Sequence, residues 1–136
     1  MSNQKTKKKI ILTFGTFDRL HPWHEYYLRE ARTYGDYLVT IVARDSTVWR
    51  VKSKQPFYDE VTRLQHLQTT GRSDEVVLGH ERWFDRCLDY YKPDVICLWY
   101  DQGDVSWKLK AKSWRYQIVR IPSYMPEKWK SSLLAS

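Results

Sequence analysis

The run Leu38-Val39-Thr40-Ile41-Val42-Ala43 is apolar or β-branched at every position, with none of the alternation of a strand that keeps one face in water. Such a strand is buried on both faces, the condition of a strand inside a parallel sheet. Parallel neighbours need a crossover between them. The preceding residues supply one: Lys9 to Phe14 reads as a first strand, and Pro22 to Tyr34 as a helix with Pro in its first turn and Gly35 just beyond its end. Together they make a βαβ unit.

Further units follow. Arg44 to Phe57 is polar and basic, carries Arg50, Lys52 and Lys54, and is expected to be a surface loop with one helical turn near Thr47. Val61, Leu64 and Leu67 predict a helix over Tyr58 to Thr70, ended by Gly71, and Glu75 to Leu78 is a short strand. His80 to Tyr91 reads as a helix stopped by Pro93, Asp94 to Trp99 as a buried strand, Asp101 to Trp114 as a weaker helix and Tyr116 to Ile121 as the last strand. A final helical turn is expected from Ser131. The expected fold class is α/β: a single Rossmann-like domain, with a doubly wound five-stranded parallel sheet, right-handed crossovers and helices on both faces. It would span residues 9–136 behind a basic flexible tail of residues 1–8.

A chain of 136 residues has room for one core of ordinary size. Four of the positive charges in the net +7 sit on Lys5, Lys7, Lys8 and Lys9, so the rest is only mildly basic. That balance suits a phosphorylated ligand and gives no particular reason to expect nucleic acid as a partner. Cys87 and Cys97 lie apart from any second Cys/His pair at metal-ligand spacing, and both read as reduced core residues. Ile10 to Leu12 is too short for a signal sequence or a membrane span. The expectation is a cytoplasmic protein without membrane association.

Chemistry concentrates in Thr13-Phe14-Gly15-Thr16-Phe17-Asp18-Arg19-Leu20-His21-Pro22-Trp23-His24, where the first strand turns into the first helix. Gly15 allows a tight turn, and the N–H groups of such a turn and of the helix start point at anything anionic above the sheet. His21 and His24, at i and i+3, share a face there and could donate hydrogen bonds to phosphate oxygens. The same stretch also reads as a polar helix start, and spacing alone does not choose.

The segment resembles the signature of the cytidylyltransferase-like nucleotidyltransferases, a strand followed by Gly-Thr-Phe-Asp and then His-x-Gly-His, and the likeness runs roughly from Lys9 to Ser132. It implies transfer of AMP or CMP from ATP or CTP to a small phosphorylated acceptor, with Mg²⁺ accompanying the nucleotide and pyrophosphate leaving. His21, His24, Lys52 and Arg63 match catalytic positions, with Arg63 pointing at substrate phosphate. Thr13, Phe14, Gly15, Thr16, Phe17, Trp99, Asp101, Ser131 and Ser132 match nucleotide-binding positions, and Asp45 and Lys54 acceptor-binding ones. Val42-Ala43-Arg44-Asp45, Tyr100-Asp101-Gln102 and Arg120-Ile121-Pro122 resemble the archaeal-type FAD synthase branch, which implies FMN as acceptor; glycerol 3-phosphate with CTP is the runner-up. Family members are often homodimers. No resident protein-bound metal is implied.

Trp23 stands at the Gly of His-x-Gly-His, Trp99 where Gly-Tyr-Asp-Gln would begin, and Trp83 and Trp114 in contexts where relatives often carry Gly. If these are the native residues, the alternative is a catalytically impaired nucleotide-binding module. The chain has seven Trp and only five Gly, against a usual glycine share of ~7%. One cause covers both: a gene in which UGA encodes glycine, translated with a table that reads UGA as tryptophan. The expected codons at positions 23 and 99 are then UGA in the nucleotide sequence, and UGG at both would rule this out.

Overall fold

The computed structural model describes residues 8–79, 88–99 and 116–122. The parts of the expectations that fall on residues 1–7, 80–87, 100–115 and 123–136 lie outside the described residues; among them are the helix over Asp101 to Trp114, the turn from Ser131, and Cys87, Asp101, Ser131 and Ser132.

Five strands form one parallel sheet: β1 (Ile10–Gly15), β2 (Tyr37–Val42), β3 (Glu75–Leu78), β4 (Val95–Trp99) and β5 (Gln117–Ile121), in the order β3-β2-β1-β4-β5. The order reverses between β1 and β4. In open α/β sheets the crevice at such a reversal, above the carboxyl ends of the strands, is where ligands bind.

Carboxylates hold the opposite end. The Asp36, Asp94 and Asp74 side chains accept the backbone N–H groups of Lys9, Ile10 and Leu38 at 3.0, 2.9 and 2.8 Å. Each aspartate stands one residue before a strand, so strand starts are stapled by the residue that introduces a neighbour. Arg32 adds a fork of two bonds to Asp74, at 2.7 and 3.0 Å.

Both sheet faces are covered, as the unbroken apolar run of β2 requires. On one face Ile11, Leu38, Val42, Val95 and Cys97 pack with Tyr27, Leu28 and Ala31 of helix α1 (Pro22–Arg32) and Leu67 of helix α3 (Glu60–Thr70). On the other, Leu12, Phe14, Val39, Ile41, Ile96 and Leu98 pack with Leu88, at the start of the helical residues 88–91, and with Tyr116. Cys97 is a free thiol in the first of these cores, and burial pushes its pKa up to about 12. No helix among the described residues is long and apolar enough to cross a membrane.

One element departs from expectation. The basic stretch after β2 is an eight-residue helix, α2 (Asp45–Lys52), and not a loop with a single turn. Its support is non-local: the Glu60 carboxylate accepts the N–H of Asp45 at 2.7 Å, and Val48 is buried. Ser53, in the left-handed region at φ 57°, ends it.

Candidate active site

The turn after β1 folds back on itself. Phe17 sits in the left-handed region (φ 51°), uncommon for an aromatic residue, and its ring lies over Gly15. A Cβ at position 15 would stand 2.8 Å from Phe17 Cε2, so glycine is required there by close approach. The Phe17 ring is buried, stacked on Tyr27 at 6.4 Å and tilted against His24 at 5.4 Å between ring centroids. Strained backbone held by surrounding packing is characteristic of functional turns.

Immediately beyond, the two histidines cap α1. His21 Nδ1 accepts the N–H of Trp23 at 3.3 Å, and His24 Nδ1 accepts the N–H of His21 at 2.9 Å, a reciprocal capping box built from imidazoles. An Nδ1 that accepts carries no proton. Each neutral ring is therefore the Nε2–H tautomer, a donor on the side away from its cap. Burial lowers the His24 pKa to about 4, with His21 and Lys52 nearby acting in the same direction. At neutral pH His24 is thus an uncharged, oriented donor.

The remaining motif residue, Asp18, latches the segment that follows α2. Its carboxylate accepts the N–H groups of Phe57 and Tyr58 at 2.6 and 2.8 Å, while the Arg19 guanidinium lies 4.0 Å over the Phe57 ring. This fastens the chain carrying Lys52 and Lys54, both exposed, to the turn that carries the histidines. The sequence displayed Asp18 within Gly-Thr-Phe-Asp, but its partners are backbone groups some forty residues away.

Several expected site residues are engaged by other parts of the fold. Arg63 has no exposure to solvent: it donates to the carbonyls of Tyr58, Thr16 and Ala43 at 3.0, 2.8 and 2.7 Å and to Asp45 Oδ1 at 2.7 Å. Its place is that of a brace joining the loops after β1 and β2. Asp45, at the start of α2, is its ion-pair partner. Thr13 and Phe14 lie in the core beneath the turn. The Thr13 hydroxyl pairs with that of Thr40 at 2.9 Å, which in turn pairs with that of Ser73 at 2.6 Å.

Trp23 is in the first turn of α1, its ring 4.4 Å from that of His21. Trp99 ends β4, edge-on to Tyr27 at 5.3 Å, and its carbonyl accepts from Arg120 at 3.0 Å. Among the described residues the non-glycine positions with left-handed φ are Phe17, Ser53 and Lys92, so neither tryptophan occupies backbone that requires glycine.

Among the described residues no group of three or more His, Cys, Asp or Glu is placed to hold a metal ion. The carboxylates of Asp18 and Asp45 are already engaged by backbone N–H groups and by Arg63.

A reversal crevice, a tight glycine turn and two imidazoles capping a helix start stand at one end of the sheet, and known proteins resemble the chain that carries them. Residues 12–129 match the model of the cytidylyltransferase-like family. The FAD synthase of Methanosarcina barkeri is 40% identical over 116 residues, covering 82% of each chain. That of Aciduliprofundum boonei is 37% identical over 118 residues, covering 84% of this chain and 78% of its own. A solved structure described as a lipopolysaccharide core biosynthesis protein, from Thermoplasma volcanium, is 38% identical, with a TM-score of 0.80 over 87% of this chain and 99% of that one. A pantoate-beta-alanine ligase from Francisella tularensis shares the fold at 13% identity and a TM-score of 0.66. The chain belongs to the cytidylyltransferase-like family and is a nucleotidyltransferase.

His24 yields a pH prediction. Its folded pKa of about 4 lies below its ordinary 6.5, so between those values the unfolded chain takes up a proton that the folded chain refuses. The stability it contributes is complete above pH 6.5 and is lost as pH falls towards 4. Imidazole NMR should show the Nε2–H tautomer of His24 persisting at pH 5; an imidazolium at that pH would contradict the geometry.

Proposed function

We propose that this nucleotidyltransferase moves AMP from ATP to FMN, forming FAD. A phosphate oxygen of FMN attacks the α-phosphorus of ATP in line; the new P–O bond forms as the bond to the β-phosphate oxygen breaks, and pyrophosphate leaves. The reading rests on one observation above others: two imidazoles locked as Nε2–H donors at the mouth of the reversal crevice, in a chain similar over most of its length to FAD synthases.

In this account His24 and His21 donate to α-phosphate oxygens as negative charge grows there, which costs no proton transfer and little reorganisation. N–H groups of the Gly15-Thr16-Phe17 turn add further donors. Lys52 offsets triphosphate charge as a point charge, and Lys54 with Asp45 borders the acceptor. Arg63 contributes by keeping Thr16, Ala43 and Asp45 in place. Family members of this kind generally use a divalent metal, and Mg²⁺ bound with the triphosphate would supply additional charge neutralisation. Asp101, Ser131 and Ser132 retain the nucleotide-binding roles that the family resemblance implies.

The test is a four-way assay of purified protein with Mg²⁺, ATP or CTP, and FMN or glycerol 3-phosphate, reading pyrophosphate and FAD. FAD from ATP and FMN is expected. Product only from CTP and glycerol 3-phosphate would move the chain to another branch, and no pyrophosphate from any pair would make it a binding module. His24→Ala is expected to lower kcat on the order of 10²-fold with a smaller change in KM, because the bond it removes strengthens in the transition state.

A further inference from the structure

The crevice begins where β1 and β4 part. β1 stays paired with β2 through Gly15 and Val42, but its pairing with β4 ends at Thr13 and Cys97. Tyr27 of α1 occupies the next level. Its hydroxyl donates to the Cys97 carbonyl at 2.6 Å and accepts the N–H of Phe14 at 3.3 Å. A single side-chain oxygen thus links the two strands across the first gap between them.

The group is suited to that place. Tyr27 is buried, and burial holds its pKa well above the ordinary range, so the phenol keeps the proton it donates. Its ring is stacked on Phe17 at 6.4 Å and meets the edge of Trp99 at 5.3 Å, and Phe17 in turn lies against His24 at 5.4 Å. The strand separation, the strained turn and the imidazole are therefore joined through one side chain.

We propose that Tyr27 is a positioning residue for the transfer reaction: its hydroxyl spaces β1 from β4 at the floor of the crevice, and its ring, through Phe17, places His24. The consequence for phosphate binding rests on the function proposed above; the spacing of the strands and the placement of His24 do not. Tyr27 touches neither substrate nor the reacting atoms in this scheme, and acts entirely through its neighbours.

Tyr27→Phe deletes the hydroxyl and keeps the ring. Tyr37→Phe is the control, because it deletes a hydroxyl bonded to Glu75 at 2.9 Å near the other end of the sheet and tests lost stability alone. Two quantities are read: the NMR titration of His24 without ligand, and the Kd for ATP. In Tyr27→Phe the His24 midpoint is expected to rise from about 4 towards 6.5, because the end of β1, no longer tied to β4 through the hydroxyl, lets the turn carrying Phe17 shift away from His24. ATP binding should weaken on the order of 10-fold, the scale of one displaced hydrogen-bonding partner. Tyr37→Phe should leave both unchanged. Wild-type values for both in Tyr27→Phe, or equal shifts in Tyr37→Phe, would overturn the proposal. Should phenylalanine at 27 fail to fold, p-aminophenylalanine there restores the donor to the Cys97 carbonyl and is expected to keep the His24 midpoint near 4, and a raised midpoint would overturn the proposal. A wild-type protein that binds no ATP counts against the proposed function, and the His24 titration still decides the role of Tyr27.

Discussion

Arg63 donates four hydrogen bonds from a position with no exposure to water, and the carboxyl end of the sheet is organised around them. A guanidinium does not lose its charge by deprotonation, so burial is tolerated only when nearly every donor is satisfied. Three carbonyls and one carboxylate do this, and they belong to four places in the chain: the turn after β1, the end of β2, the start of α2 and the approach to α3. Removing one partner of such a pair typically costs about 3–5 kcal/mol. Lysine would not substitute, since a compact ammonium lacks the planar fork that reaches three carbonyls and an aspartate together.

With the loops fixed from below, the groups facing the crevice divide the work. The imidazoles are directional, their Nδ1 atoms spent on the helix cap, which leaves Nε2 as the remaining nitrogen of each ring. Positive charge is left to exposed lysines on a segment that Asp18 fastens to the same turn. Burial that keeps His24 uncharged also makes its hydrogen bond stronger, because water competes less for it. A triphosphate would meet charge at the rim and oriented dipoles at the reacting phosphorus.

Much of this architecture was legible in the sequence. The unbroken run of β2 announced a strand buried on both faces, and the Pro22 start and Gly35 end framed the crossover that follows β1. The His21 and His24 pair was visible by spacing, though not that each would accept from a backbone N–H. Local pattern failed where support is long-range. α2 looked like a loop because its N-terminal partner, Glu60, lies on another helix. Arg63 looked like a solvent-facing or ligand-facing charge among Val61, Leu64 and Leu67, and only the fold reveals the carbonyls that surround it. Tyr27 carried no signal at all, since its role depends on where two strands distant in sequence separate.

Trp23 illustrates the same limit from the other side. As a break in the His-x-Gly-His pattern it raised the alternative of an impaired module; its backbone is ordinary helix, and its ring lies beside that of His21. The proposed chemistry depends on where the α-phosphate sits relative to the two imidazoles. A crystal structure with Mg²⁺ and α,β-methylene-ATP tests this most directly. α-Phosphate oxygens are expected at hydrogen-bond distance, about 2.7–3.2 Å, from Nε2 of His24 and of His21. A triphosphate seated elsewhere, with both Nε2 atoms facing water, would contradict it.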